Sequence, residues 1–268
     1  MKTENRRREL VAVLRESGTL SVEQLSNRFG VSLATIRRDL TALSQSGAIV
    51  RFHGGAETPV GFEPSWESRV GSAIVEKRAI AQLTAELLQP GDVVAVDSGT
   101  TPYEVVRVAI ETGTAPLSLL TGSVAIASLA AGSSQDELTV IMPGGVLRNT
   151  SQLLIGEEDQ LNAYHCDKAI LSCTGLDLAK GAMHTNLLAG PLKRKLAEIS
   201  ETVILVADHT KMNRSALAVF ADFDQISILV TDWRTPNDVI AKLRTAGVEV
   251  LVAPPPRPAS ATRVMGGR

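Results

Sequence analysis

The sequence is short of three things: cysteine, long apolar runs and net charge. Cys166 and Cys173 are its two cysteines. No cluster of His or Cys accompanies them, which argues against a metal centre or a disulfide framework and leaves two buried free thiols. The apolar runs fall short of the roughly 20 residues that a membrane helix needs. The N-terminus is charged and has no apolar stretch behind it, so no signal peptide is expected. A cytoplasmic protein follows, with no membrane association, no metal and no cofactor.

The net charge of −2 is at first sight wrong for a nucleic-acid binder. Its distribution reverses that impression. Residues 1–56 hold nine Lys/Arg against five Asp/Glu, and the remainder holds 18 against 24. A basic module is thus attached to a larger, acidic part with a different task. The chain has 268 residues, 44% of them hydrophobic, enough for one small domain and one larger one.

Three helices are predicted in the basic module. The first covers Arg6 to Glu16, with Leu10, Val11 and Leu14 inward. Ser21-Val22-Glu23-Gln24 fits a capping box opening the second, which buries Val22, Leu25 and Phe29. Gly30 suits the left-handed residue that closes it, and Ser32 suits the cap of the third. Ile36, Leu40 and Leu43 form the apolar stripe of that third helix. Two helices joined by a short Gly-containing turn make a helix-turn-helix, at about residues 20–39. Ala48 to His53 reads as a strand, with Gly54-Gly55 as a tight return and Thr19-Leu20-Ser21 as its pairing partner. Together these make a wing.

In such a module the third helix enters the major groove. Arg37 and Arg38 then reach phosphates or guanine edges, where Arg bonds bidentately. Ser32 and Thr35 donate to phosphates or bases. Arg51 and His53 touch the backbone beside the wing, although His53 suits a turn-stabilising role equally well. Arg6, Arg7 and Arg8 either add nonspecific phosphate contacts or belong to a frayed terminus.

The run TLSVEQLSNRFGVSLATIRRDLTALSQSGAIVRFHGGA resembles the DNA-binding domain of the DeoR-type family of bacterial repressors. Thr35-Ile36-Arg37-Arg38-Asp39-Leu40 and His53-Gly54-Gly55-Ala56 carry the likeness most specifically.

Residues 58–72 contain Pro59, Gly61 and Pro64 with a lone Trp66 and read as a linker. From 73 to 252, seven apolar strands alternate with helical segments: Val93–Val96, Leu117–Leu120, Leu138–Met142, Ala169–Cys173, Val203–Ala207, Ile226–Val230 and Val248–Val252. Near-continuous apolar strands between helices argue for an α/β domain with a parallel sheet covered on both faces. Residues 253–268 are rich in Pro, Gly and Ala and read as a disordered tail.

Ligands of open α/β sheets bind beyond the carboxyl ends of the strands. After the first strand come Asp97, Ser98, Gly99, Thr100 and Thr101, with Pro102 suited to a first helical turn. Free amides, hydroxyls and a helix dipole there favour phosphate, although an ordinary capped turn looks alike. Gly144 and Gly145 permit close backbone approach after the third strand. Asp177 either accepts from a sugar hydroxyl or caps a turn. Lys211 is a phosphate or sugar partner or a surface lysine, and Lys193 faces the pocket or belongs to a solvated charge run.

The resemblance continues here through Glu76-Lys77, Asp97 to Thr101, Gly144-Gly145, Gly175-Leu176-Asp177, Leu192-Lys193-Arg194 and Asp208-His209-Thr210-Lys211. These occur in the order of the DeoR-type effector domain, which is similar to the ribose-5-phosphate isomerase fold and senses phosphorylated sugars. The resemblance implies that Ser98–Thr101 hold the phosphate, with Lys211 beside it. Two segments depart from the family pattern. Gly122-Ser123 stands where the family usually has Asn-Ser, and Ala189-Gly190-Pro191 lacks the acidic residues common there.

The expected function is a transcriptional regulator that represses a carbohydrate operon. Its partners are double-stranded operator DNA, a phosphorylated sugar that releases it, and further copies of itself in a dimer or tetramer. The alternatives are a sugar-phosphate isomerase and an effector-independent DNA-binding protein. Against the isomerase, the pattern Asp-Gly-Ala-Asp-Glu appears here as Thr174-Gly175-Leu176-Asp177-Leu178.

Overall fold

The computed structural model of the chain describes residues 3–17, 19–45, 48–52, 54–57, 66–134 and 137–256. Three helices come first: α1 (Thr3–Ser17), α2 (Val22–Phe29) and α3 (Leu33–Gln45). Local chemistry sets their ends. The Gln24 amide donates to Ser21 Oγ at 3.1 Å, and the Ser21 amide donates to Gln24 Oε1 at 2.8 Å, closing a reciprocal cap. Gly30 takes φ +61° and ends α2. The Thr35 amide donates to Ser32 Oγ at 3.2 Å at the start of α3. One stripe of each helix meets in a small core of Leu10, Leu14, Leu25, Ile36 and Leu40.

The wing pairs differently from the expectation. Strands β1 (Thr19–Ser21), β2 (Val50–Phe52) and β3 (Gly55–Glu57) lie in the order β1-β3-β2. The expected pairing of the wing strand with Thr19–Ser21 is therefore corrected: β3 lies between them, antiparallel to both. The return falls at Gly54, with φ +93°, so the chain from Gly55 onward runs back as a strand. His53 lies outside the described residues, as do residues 58–65 of the expected linker.

A short helix, α4 (Trp66–Gly71), occupies the rest of the span read as linker. Trp66 packs edge-on against Tyr103 with ring centroids 5.6 Å apart, and its amide donates to the Thr150 carbonyl at 3.0 Å. The larger domain follows with α5 (Ile74–Ala85), β4 (Val93–Val96), α6 (Thr100–Thr112), β5 (Leu117–Thr121), α7 (Val124–Ala131) and β6 (Leu138–Ile141). A hairpin, β7 (Val146–Arg148) and β8 (Leu153–Ile155), leads to β9 (Cys166–Ser172), β10 (Gly175–Asp177) and β11 (Gly181–His184). Next are α8 (Ala189–Glu198), β12 (Ser200–Val206), β13 (Ala218–Ala221), β14 (Ile228–Asp232), α9 (Asn237–Thr245) and β15 (Glu249–Ala253).

Seven strands form one sheet in the order β15-β14-β12-β9-β4-β5-β6, every neighbouring pair parallel. They are the seven apolar runs of the sequence. Alternate residues serve opposite faces: Val203 and Leu205 pack with Leu196 of α8 and Leu243 of α9, and Ile204 and Val206 pack with Ile80 of α5 and Val105 of α6. Both faces are apolar because both are covered. Strands β10, β11 and β13 make a separate small sheet. Ala253, placed in the tail by the sequence reading, ends β15 and is buried, while 257–268 lie outside the described residues. Cys166 and Cys173 are buried free thiols.

Candidate functional site

The third helix turns its stripe inward and leaves Ser32, Ala34, Arg37 and Arg38 exposed, with Thr35 half-buried. Ser32 Oγ and Thr35 Oγ1 are 2.9 Å apart, so the two hydroxyls form one polar unit at the N-terminus of α3. Arg51 of the wing donates to Thr41 Oγ1 at 2.7 Å, and Thr41 donates onward to the Arg37 carbonyl at 2.8 Å. The wing arginine is thereby docked on the outer face of α3.

Asp39 belongs to the same helix but points the other way, and it is only 2% exposed. Arg6 Nε donates to one of its oxygens at 2.7 Å and Arg7 Nε to the other at 2.8 Å. Arg6 and Arg7 are therefore neither frayed nor aimed at phosphate. They clamp the start of α1 to α3. Burial opposes ionisation of Asp39, and the bonds and charges of Arg6 and Arg7 outweigh it, holding the carboxyl below its usual 3.8. A depressed carboxylate stabilises the fold above its unfolded pKa, and that stabilisation is lost as pH falls through the folded value, below 3.8. Asp39→Asn in the full chain should destabilise α1–α3 by about 2 kcal/mol, because two arginines lose a charged hydrogen-bond acceptor. Hydrogen exchange of the α1–α3 amides reads this out. Unchanged protection there would refute the clamp.

The carboxyl ends of the parallel strands meet the first turn of α6. Asp97, directly after β4, accepts from Ser172 Oγ at 2.6 Å, from the Ser172 amide at 3.1 Å and from Lys193 Nζ. Lys193 also donates to the Ser172 carbonyl at 2.9 Å. Burial opposes the charge on Asp97, but Lys193 and Ser172 keep the carboxyl below its ordinary range. Asp97 and Lys193 are thus brought together and engage each other and β9. Gly99 begins α6 with no side-chain bond to the first-turn amides. A Cβ at Gly99 would lie 2.1 Å from Ser172 Oγ, so only glycine lets the loop sit against β9.

A cleft opens at these strand ends, its space of about 500 Å³ continuous with solvent at the mouth. Asp97, Ser98, Gly144 and Lys193 line it; Gly99, Thr100, Thr101, Gly145, Asp177 and Lys211 do not. Thr100 and Thr101 are buried in the first turn of α6, behind Ser98. Gly145 packs against the Ile155 backbone. Asp177 accepts from the Ala179 amide at 2.9 Å and from the Ser215 hydroxyl, which holds the β10–β11 turn. Lys211 ends the short turn after β12, beside Asp208.

Several residues absent from the predicted site belong to this region. Lys77 on α5 is 4% exposed and donates to the Arg69 carbonyl of α4. Burial pulls its pKa down to about 8; Asp208 opposes the fall, and Lys211 and Arg69 add to it. Burial also works against Asp208, yet Lys211, the Thr210 hydroxyl and Lys77 keep it ionised. Lys77 and Lys211 thus flank the Asp208 carboxylate in a poorly solvated region, with Arg69 and Glu104 close enough to Lys77 to act on its charge. His184 accepts at Nδ1 from the Asn186 amide at 3.0 Å, so its neutral ring carries the proton on Nε2. Burial, then the charge of Lys193, push its pKa down to about 3. Ser151 Oγ and Thr185 Oγ1 are buried with no hydrogen-bond partner among the described residues.

Residues 6–60 match the DeoR-like helix-turn-helix domain and residues 72–233 the DeoR C terminal sensor domain. The chain is 37% identical over 257 residues to a provisionally named aga operon transcriptional repressor of Escherichia coli O157:H7, covering 93% of this chain and 94% of that one. It is 30% identical over 246 residues to the glycerol-3-phosphate regulon repressor of Escherichia coli K12, covering 91% and 96%. Among solved structures, ribose 5-phosphate isomerase A of Neisseria gonorrhoeae aligns with a TM-score of 0.36 at 14% identity, over 51% of this chain and 52% of that one.

Proposed function

The chain belongs to the DeoR family of DNA-binding transcriptional repressors, and on that premise we propose that a phosphorylated sugar, bound at the strand ends, controls its grip on operator DNA. The observation that carries this reading is the pair of lysines, Lys77 and Lys211, beside Asp208 near an α6 N-terminus whose cap residue, Gly99, gives it no side-chain bond. Backbone amides and desolvated cations together favour a compact anion. Ser98 joins that turn to the cleft, so a phosphate at the turn leaves the rest of the effector in the cleft.

Helix α4 is suited to pass the signal on. It lies against α1 of the DNA-binding unit, its Trp66 rests on Tyr103 of α6, and its Arg69 carbonyl holds Lys77. An anion drawn to Lys77 acts on the element that borders both domains. Two copies of the chain present two recognition helices to successive major grooves. By linkage, operator DNA weakens effector binding by the factor with which effector weakens DNA binding.

A gel-shift titration with the chain's operator tests the reading: sugar phosphates should release the DNA, and Thr100→Ala combined with Lys211→Ala should remain bound at the same concentrations. Release of the double variant at wild-type concentrations would move the pocket elsewhere. With Arg37, Arg38 and Arg51 on each of two subunits, the slope of log affinity against log salt should be about −5. A flat salt dependence would contradict the electrostatic account.

A further inference from the structure

The walls of the cleft are apolar. Leu120, Leu153, Leu154, Leu161, Leu192 and Leu196 all face it. Its polar lining is mostly occupied already. Thr121 Oγ1 donates to the Val96 carbonyl at 2.7 Å and accepts from the Ser123 amide at 3.0 Å. Lys193 and Asp97 neutralise each other and bond to Ser172. Ser98 stands at the α6 end, and among the described residues the exposed Glu157 is the only other charged side chain in the lining.

Gly122 brings the leucines in. A Cβ at this position would lie 3.0 Å from Leu153 Cδ1 and 3.0 Å from the Leu154 carbonyl oxygen. The Leu154 amide donates to the Gly122 carbonyl at 2.8 Å, which draws β8 onto the loop after β5. A larger residue with a polar head would push the hairpin outward and place hydrogen-bonding groups where leucine now stands.

We infer that the effector is a sugar phosphate carrying a short, uncharged substituent that ends in a methyl group, such as an N-acetyl group, with that methyl seated against Leu153, Leu154 and Leu192. This rests on the proposed anion seat at α6. A bare polyol would bring hydroxyls against leucine side chains that cannot pair them. A second anionic group at the mouth would meet Glu157 and no unengaged cation of the lining.

The test is calorimetric binding of glucose 6-phosphate, N-acetylglucosamine 6-phosphate and fructose 1,6-bisphosphate to the full chain, with inorganic phosphate as the fourth probe. The acetamido sugar should bind about tenfold or more tightly than the hydroxyl sugar, in keeping with burial of a few apolar atoms. The bisphosphate should bind more weakly than either. Leu154→Asn should bring the two monophosphates to within about twofold of each other while leaving inorganic phosphate binding unchanged. Equal wild-type affinities for the acetamido and hydroxyl sugars would overturn the inference and leave the anion seat standing. Failure of all four probes, inorganic phosphate included, would overturn the seat and the inference with it.

Discussion

Replacing Arg37 and Arg38 together by alanine should weaken operator binding by roughly two orders of magnitude or more, with thermal unfolding of the chain unchanged, since each bidentate contact to a base is worth ~1–3 kcal/mol. Both effects follow from where α3 sends its side chains. Ile36 and Leu40 are fully buried and hold the helix, whereas Arg37 and Arg38 lie on its exposed face. Their removal leaves no cavity and no unpaired buried charge. Binding to nonspecific DNA should fall less, because Arg51 and the rest of the basic surface still neutralise phosphate. Changing both to lysine separates the two roles. Lysine keeps the charge but not the planar fork, so nonspecific affinity should return and discrimination between operator and random DNA should not. A quantitative gel shift on both DNAs reads this out; loss of thermal stability in the alanine variant would mean the arginines serve the fold instead.

The sequence shows some of this architecture and hides the rest for definite reasons. The large sheet is legible because its strands are covered on both faces, so they appear as near-continuous apolar runs, unbroken in Val203–Val206 and interrupted by single polar residues such as Ser118 and Thr139 elsewhere. The caps at Ser21 and Gly30 are legible because they depend on residues a few positions apart. The wing pairing is hidden because three-residue strands have no periodicity, and Gly55–Glu57 contains nothing that distinguishes a strand from a turn. Asp39 is hidden by its neighbours: in a run of exposed arginines an acid looks like surface, and only contact with Arg6, more than thirty residues away, shows it buried. Lys77 is hidden similarly. On an amphipathic helix a lysine reads as solvated, and α4, which covers it, falls where Pro and Gly suggest a linker. Asp97 and Lys193 were legible as neighbours of the strand ends, but not as partners of each other across 96 residues.

Lys77→Gln should weaken sugar-phosphate binding by about a hundredfold, a loss of ~2–3 kcal/mol that is typical of a charge-assisted bond, while stability at neutral pH stays level or rises. The two effects oppose each other because burial keeps the ammonium poorly solvated. Its folded pKa is about 8 against an ordinary 10.5, so between those values the unfolded chain binds the proton and the folded chain does not. Stability therefore rises with pH across that window, and below it the folded state carries the strain of a desolvated charge. An incoming phosphate reverses the balance by giving the ammonium a counter-ion. Binding should accordingly take up a fraction of a proton near pH 8 and weaken as pH rises from 7 to 9. Calorimetry in two buffers of different ionisation enthalpy detects the uptake, and the slope should vanish in Lys77→Gln. If affinity in the wild type did not change over that interval, or the variant kept the wild-type slope, Lys77 would not face the anion, and the link from effector through Arg69 to α4 would lose its first step.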